Sequence, residues 1–547
     1  VDRSATTGPA AVRSSRGARR ELRERAAQVL WANWTGTSTV PSRALYPHQW
    51  SWDSAFIAIG LRHLSPLRAQ LELEMLLSAQ WGDGRVPHIV FDDAVPLDAY
   101  FPSPDFWRST TAGRAAGAPG DVQTSGIVQP PVHALAAWLV HRADPGLSGA
   151  RSFLARVRPR LAAWHRYLLR ARNAGGAGLA AVVHPWEQGM DNSPCWDAPL
   201  GRVRPAEPGA FRRTDLEHGA PEDRPTDLDY GRYVRLAQQY RDRGYADATG
   251  PGDFAVEDPA FNALLILSEH ALALIEGELA DTADAPAPMA RASWARRDRA
   301  EALTRTLVER LWDPDRGIFL CRDLRADGHD PRADGRDPSA DSRDPRAGGR
   351  DPSTDGRDPR ADGRDPSADS RDPRAGGRDP WARRDDPRVA PGPGALIPER
   401  GVTGLVPLAL PALPRDIAAA LVRTACGPHF GLGGPALLVP SHDLTGPAFD
   451  PHRYWRGPAW FNTNWLMEKG LRLHGEPARA DGLRETLLDV AGASGFAEYV
   501  DPYTGRGCGA RGFGWTAALT LDLLLDGRAG TRGRGERDRL SEGEVWA

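Results

Sequence analysis

The chain has 547 residues, with 69 Lys and Arg against 72 Asp and Glu. A net charge of -3 gives none of the basic field that nucleic-acid binders use, so no such partner is expected. The length exceeds the size at which single cores usually stop growing, which calls for several domains or one large toroid or barrel.

The first thirty residues are rich in Arg but carry no apolar run, and no run of 18 apolar residues follows further on. Neither a signal peptide nor a membrane segment is read, and the expected location is the cytoplasm. Cys195, Cys321, Cys426 and Cys508 are scattered without a CxxC pair, as suits a reducing compartment better than a disulfide scaffold or structural zinc.

Apolar residues at three and four spacing mark helices along the chain. They fall near residues 16–34, 54–64, 66–81, 126–143, 151–172, 230–240, 258–279 and 299–312, then 417–426, 460–475, 484–494 and 513–525. Alternating strand patterns are scarce, so the expectation is an all-α antiparallel array of helix pairs, with long loops at one end enclosing a pocket. Between the two groups of helices the tripeptide RDP recurs every seven residues, at Arg336, Arg343, Arg350, Arg357, Arg364, Arg371 and Arg378. Each repeat contains Pro and lacks apolar side chains, which excludes a coiled coil and leads to the expectation of a disordered insert over 325–388. The chain then reads as one helical array in two parts, 1–324 and 389–526, with a polar tail at 527–547.

Four loop-like clusters share a composition of Trp, carboxylate and small or amide residues broken by Gly and Pro. They are YPHQWSWDSAF (46–56), HPWEQGMDNSP (184–194), RYWRGPAWFNTNW (453–465) and GFAEYVDPYTGRGCG (495–509). Aromatic faces beside carboxylates suit a sugar, whose CH faces pack on rings while its hydroxyls donate to the acids. No HxxxH or similar pair occurs in these clusters, so neither a metal nor a cofactor is expected. Within them Glu187 competes with Asp191, and Asp501 with Glu498, for any acid or base role.

In this order the clusters resemble glycoside hydrolase family 63 and its relatives, the processing α-glucosidase, trehalase and debranching type enzymes, and above all the bacterial mannosylglycerate and glucosylglycerate hydrolases. The resemblance spans nearly all of the chain outside the repeats. It implies an (α/α)6 barrel and an inverting mechanism, with Asp191 of the D-N-S-P loop as general acid and Glu498 of the F-x-E-Y-x-D-P segment as general base. Asp53 would then grip sugar hydroxyls, although by itself it reads as a cap for the helix that follows. Tyr46, Trp50, Trp52, Trp186, Tyr454, Trp455 and Trp460 would contact the ligand, with Gln129 of TSGIVQPP reaching it too, whereas Trp465 belongs to the core. Arg224 and Tyr230 reproduce the spacing with which the glycerate-specific members hold a carboxylate; by themselves they read as a surface Arg and a packing Tyr. The expected reactants are a small glycoside and water. An oligosaccharide α-glucosidase or a trehalase-like enzyme is the alternative, and a sugar-binding protein without catalysis is a weaker one. The family loop that closes over the sugar falls within 81–121, where nothing is assigned.

Overall fold

The computed structural model describes residues 9–217, 221–247, 250, 252–280, 288–326, 394–526 and 545–546. The expected insert from 325 to 388 and the polar tail from 527 to 547 lie outside these residues, apart from 325–326 and 545–546. The flanking parts of the chain belong to one unit.

Twelve long helices occur among the described residues: α1 (Pro9–Ala32), α2 (Ser51–Leu61), α3 (Pro66–Ser78), α4 (His133–Ala143), α5 (Phe153–Ala171), α6 (Asp227–Asp242), α7 (Pro259–Ala280), α8 (Pro288–Leu311), α9 (Arg415–Cys426), α10 (Phe461–Leu473), α11 (Pro477–Ala493) and α12 (Gly514–Leu525). Packing closes a ring from α12 to α2, α4, α7, the 3-10 turns at Val402–Gly404 and Val406–Ala409, α10 and back to α12. Around it lie α1, α3, α5, α8, α9 and α11. This is the (α/α)6 barrel, with one difference from the helix count. The fourth inner member is a pair of short turns, because Pro407, Pro411 and Pro414 remove backbone donors there. The helix expected at 230–240 forms as α6 but packs against the short helix Ser109–Ala112 and takes no place in the ring.

Burial explains which helices are inner. Every residue of α2 is buried, as is every residue of α12 except Leu525. A helix covered on all sides carries apolar residues all round and shows little amphipathic pattern. By contrast α5 buries Phe153, Leu154, Val157, Leu161, Trp164 and Leu168 along one stripe, the mark of an outer helix with one face in water. Its neighbour in sequence, α4, starts only at His133; Pro130 and Pro131 hold back the helix expected from 126.

Short strands steer the chain at the loop end. Gln49–Trp50 pairs with Ile89–Val90, and Ala459–Trp460 pairs with Tyr499–Val500, which also pairs with Gly507–Cys508. Two of these strands run directly into α2 and α10, so the loops around the N-terminal ends of inner helices line the pocket. Among the described residues no helix is long and apolar enough to cross a membrane.

Candidate active site

A pocket of about 830 Å³, its open mouth included, is lined by Tyr46, Trp50, Trp52, Asp53, Gln129, Trp186, Asp191, Arg224, Tyr230, Tyr454 and Glu498. Eleven of the thirteen residues singled out in the sequence therefore share one cavity. The other two, Trp455 and Trp460, do not line it: they stack face to face at 3.8 Å and 3° and are buried behind Tyr454. The turn there explains this. Trp455 adopts a left-handed φ of 57°, which sends its indole back onto Trp460 and leaves Tyr454 facing the cavity. Trp465 sits in the core, its indole N–H donating to Asp522 at 2.9 Å.

The D-N-S-P loop leaves the strand Ala181–Val182 through the single turn Pro185–Gln188 and ends that turn at Gly189. Gly189 has a φ of 79°, and a Cβ there would lie 2.5 Å from the Trp52 ring, so only glycine lets the loop pass beneath that indole. Beyond it the backbone is tied down on both sides of Asp191. The Tyr233 hydroxyl donates to the Asp191 carbonyl at 2.6 Å, and the Trp196 indole N–H to the Met190 carbonyl at 2.8 Å. The backbone that carries the Asp191 side chain into the pocket is thereby fixed. Burial pushes its pKa up to about 7, opposed by the nearby Arg224 guanidinium and reinforced by the charges of Asp215 and Glu498.

Glu187, four residues earlier, has a different environment. It is fully buried, accepts both Arg172 Nη groups at 2.6 and 2.8 Å, and takes the backbone N–H groups of Val183 and Val128 at 2.8 and 3.3 Å. It lies outside the pocket lining. Asp501 is similarly engaged, accepting from the Tyr503 and Thr504 backbone and lying 3.0 Å from His452 Nε2.

Glu498 faces donors. Tyr46 donates to its Oε1 at 2.9 Å and Tyr454 at 3.4 Å, while the Ala510 N–H donates to Oε2 at 3.0 Å. Gly509 packs on this carboxylate, where an added Cβ would meet Oε2 at 2.5 Å. Arg224 Nη2 stands 3.8 Å from Oε2 and Nη1 donates to the Tyr46 hydroxyl at 3.3 Å. Far from being a surface residue, Arg224 is 6% exposed and its guanidinium lies 4.7 Å over the Tyr454 ring. Tyr230 presents its ring, since its hydroxyl donates to the Phe101 carbonyl at 3.2 Å. Asp53 is in the first turn of α2 and is not its cap, a position that Trp50 occupies. Burial, and then the charge of Glu498, push the Asp53 carboxyl well above the usual range. Gln129 is fixed by its Oε1, which accepts the Trp52 N–H at 3.2 Å.

Several lining residues escaped the sequence reading: His88, Tyr100, Phe101, Asp215, Phe513 and Trp515. Tyr100 and Phe101 come from the loop left unassigned, and Asp215 from the charged stretch RRTDLEHGAPED. Phe513 and Trp515, both in GFGWT, shared the Gly-flanked aromatic signature of the other clusters. No group of three or more His, Cys, Asp or Glu placed to hold a metal occurs among the described residues.

A family model described as the mannosylglycerate hydrolase MGH1-like glycoside hydrolase domain matches residues 46–516. The chain is 37% identical to a mannosylglycerate hydrolase of Rubrobacter radiotolerans, over 93% of this chain and 97% of that one. It is 35% identical to a glucosylglycerate hydrolase of Mycolicibacterium hassiacum, over 92% and 98% of the two chains. The crystal structure of the family 63 mannosylglycerate hydrolase from Thermus thermophilus in complex with Tris and D-glycerate superposes with a TM-score of 0.69 at 33% identity, covering 91% of this chain and 99% of that one.

Proposed function

The chain belongs to the mannosylglycerate hydrolase MGH1-like glycoside hydrolases of family 63 and so splits glycosidic bonds with inversion, and we propose that the bond it splits joins glucose or mannose to glycerate. In this reading Asp191, protonated near neutral pH, donates to the glycosidic oxygen as the bond to the anomeric carbon breaks. Glu498 takes a proton from a water on the opposite face of the sugar, and that water's oxygen bonds to the anomeric carbon. The Tyr46, Tyr454 and Ala510 donors hold the base carboxylate in place. Asp53 accepts from sugar hydroxyls between Trp50, Trp52 and Trp186, with Gln129 beside them.

The observation that carries the acidic aglycone is Arg224. This buried guanidinium has Glu498 at 3.8 Å as its anionic neighbour, yet Nη2 makes no hydrogen bond, so it faces the pocket with a donor to spare for a carboxylate. Mannosylglycerate and glucosylglycerate are the substrates named for the relatives. The four cysteines, all free thiols, support a cytoplasmic place of action. The test is hydrolysis of glucosylglycerate, mannosylglycerate, trehalose and kojibiose, with the released sugar followed by NMR. The expected result is preference for the two glycerate compounds with the β anomer appearing first from an α-glycoside. A preference for trehalose or kojibiose would return the chain to the α-glucosidase reading.

A further inference from the structure

Asp215 puts a carboxylate into the pocket beside the residues assigned to a carboxylate-bearing aglycone, and the reaction as described has no use for it. An anion in that place should repel glycerate unless it is neutralised. Arg213 neutralises it, through two parallel bonds of 2.9 Å from Nε and Nη2 to the two carboxylate oxygens. The same Arg213 donates to the Pro225 carbonyl at 2.9 Å and to Asp227 at 2.6 Å, and its guanidinium lies 4.4 Å over the Tyr230 ring. The segment carrying Asp215 is thus fastened to the start of α6, close to Arg224 and Tyr230. Each Asp215 oxygen keeps a second lone pair, and the side chain remains 20% exposed.

A charge-neutralised carboxylate with spare acceptor capacity suits a hydroxyl. When O2 of glycerate is glycosylated, the aglycone has one free hydroxyl, at C3, next to its carboxylate. We propose that Asp215, clamped by Arg213, accepts this terminal hydroxyl while Arg224 takes the carboxylate, so that the pocket tells a glycosylated glycerate from a glycosylated lactate. The inference rests on the glycerate reading above.

The experiment compares kcat/KM for 2-O-α-glucosylglycerate and for the corresponding lactate glycoside, which has hydrogen in place of that hydroxyl, in the wild type, Asp215→Asn and Asp215→Ala. The ratio of the two values within one preparation does not depend on how much of it is folded. The wild type should favour the glycerate compound by ~10- to 100-fold, the usual worth of a hydrogen bond to a charged group. Asp215→Ala should bring the ratio near one, with Asp215→Asn in between. A wild-type ratio near one, or variants that lose both activities in equal proportion, would overturn the assignment and leave Asp215 as a clamp alone. Wild type that splits neutral α-glucosides and neither of these compounds would overturn the glycerate reading itself, a separately recognisable result.

Discussion

Two acids four residues apart should fail in opposite ways. Glu187 accepts four hydrogen bonds, two of them from Arg172, which is itself 2% exposed. In Glu187→Gln, Arg172 keeps only Asp247, 3.1 Å from its Nε, as an anionic partner. Removing one member of a buried ion pair costs about 3 to 5 kcal/mol. Asp191 has no such partner. Its carboxyl is held above its unfolded value, so between pH 3.8 and about 7 the unfolded chain releases the proton while the folded chain keeps it. Stability therefore falls as pH rises through that interval. Asp191→Asn removes this loss and should unfold at a urea concentration equal to the wild type near pH 4 and higher near pH 8, while turnover drops by the ~10²- to 10⁴-fold attached to a general acid. Glu187→Gln should unfold at clearly lower urea, and whatever folds should keep more turnover than Asp191→Asn. Urea titration at the two pH values and hydrolysis at saturating substrate read both effects. A Glu187→Gln protein of full stability without turnover would refute the separation and return Glu187 to the chemistry.

Arg224→Ala should raise KM for glycerate-bearing substrates ~10- to 100-fold more than for neutral glycosides, with Arg224→Lys recovering only part because an ammonium lacks the fork; equal effects on both classes would mean that Arg224 reads no carboxylate. With the acid carboxyl pushed up to about 7, wild-type kcat/KM should fall as pH rises through that value, and a profile flat to pH 9 would remove Asp191 from the acid role.

How much of this was readable beforehand differs by element, for physical reasons. Ring helices such as α2 and α12 were legible as apolar segments, since burial on all sides demands apolar residues whatever the neighbours are. The turns at 402–409 were not, because a ring position can be filled by any segment that covers its neighbours, and prolines exclude a helix without saying what replaces it. Trp, acid and Gly clustering brought eleven residues to one pocket because that chemistry needs those side chain types on loops. It could not tell Trp455 and Trp460 from the wall, since their direction depends on one left-handed residue, nor Glu187 from Asp191, since the difference is Arg172 at the end of α5. Asp215 and Tyr100 sit on loops whose path is set by contacts distant in sequence, such as that of Arg213 with Tyr230.

The pocket sets four carboxyls, Asp53, Asp191, Asp215 and Glu498, against Arg224 and the Arg213 that grips Asp215. With Arg213 engaged and Arg224 beside Glu498, Asp53 and Asp191 are left without a cation in direct contact, and both are pushed upward. The acid role proposed for Asp191 thus depends on where the guanidiniums stand, and its pKa can be moved. Arg224 lowers the Asp191 pKa and Asp215 raises it. Arg224→Ala should therefore shift the descending limb of the pH profile to higher pH, and Asp215→Asn should shift it to lower pH, measured as kcat/KM on a neutral α-glucoside so that aglycone recognition does not enter. Shifts of the same sign, or none, would show that the limb belongs to a group other than Asp191.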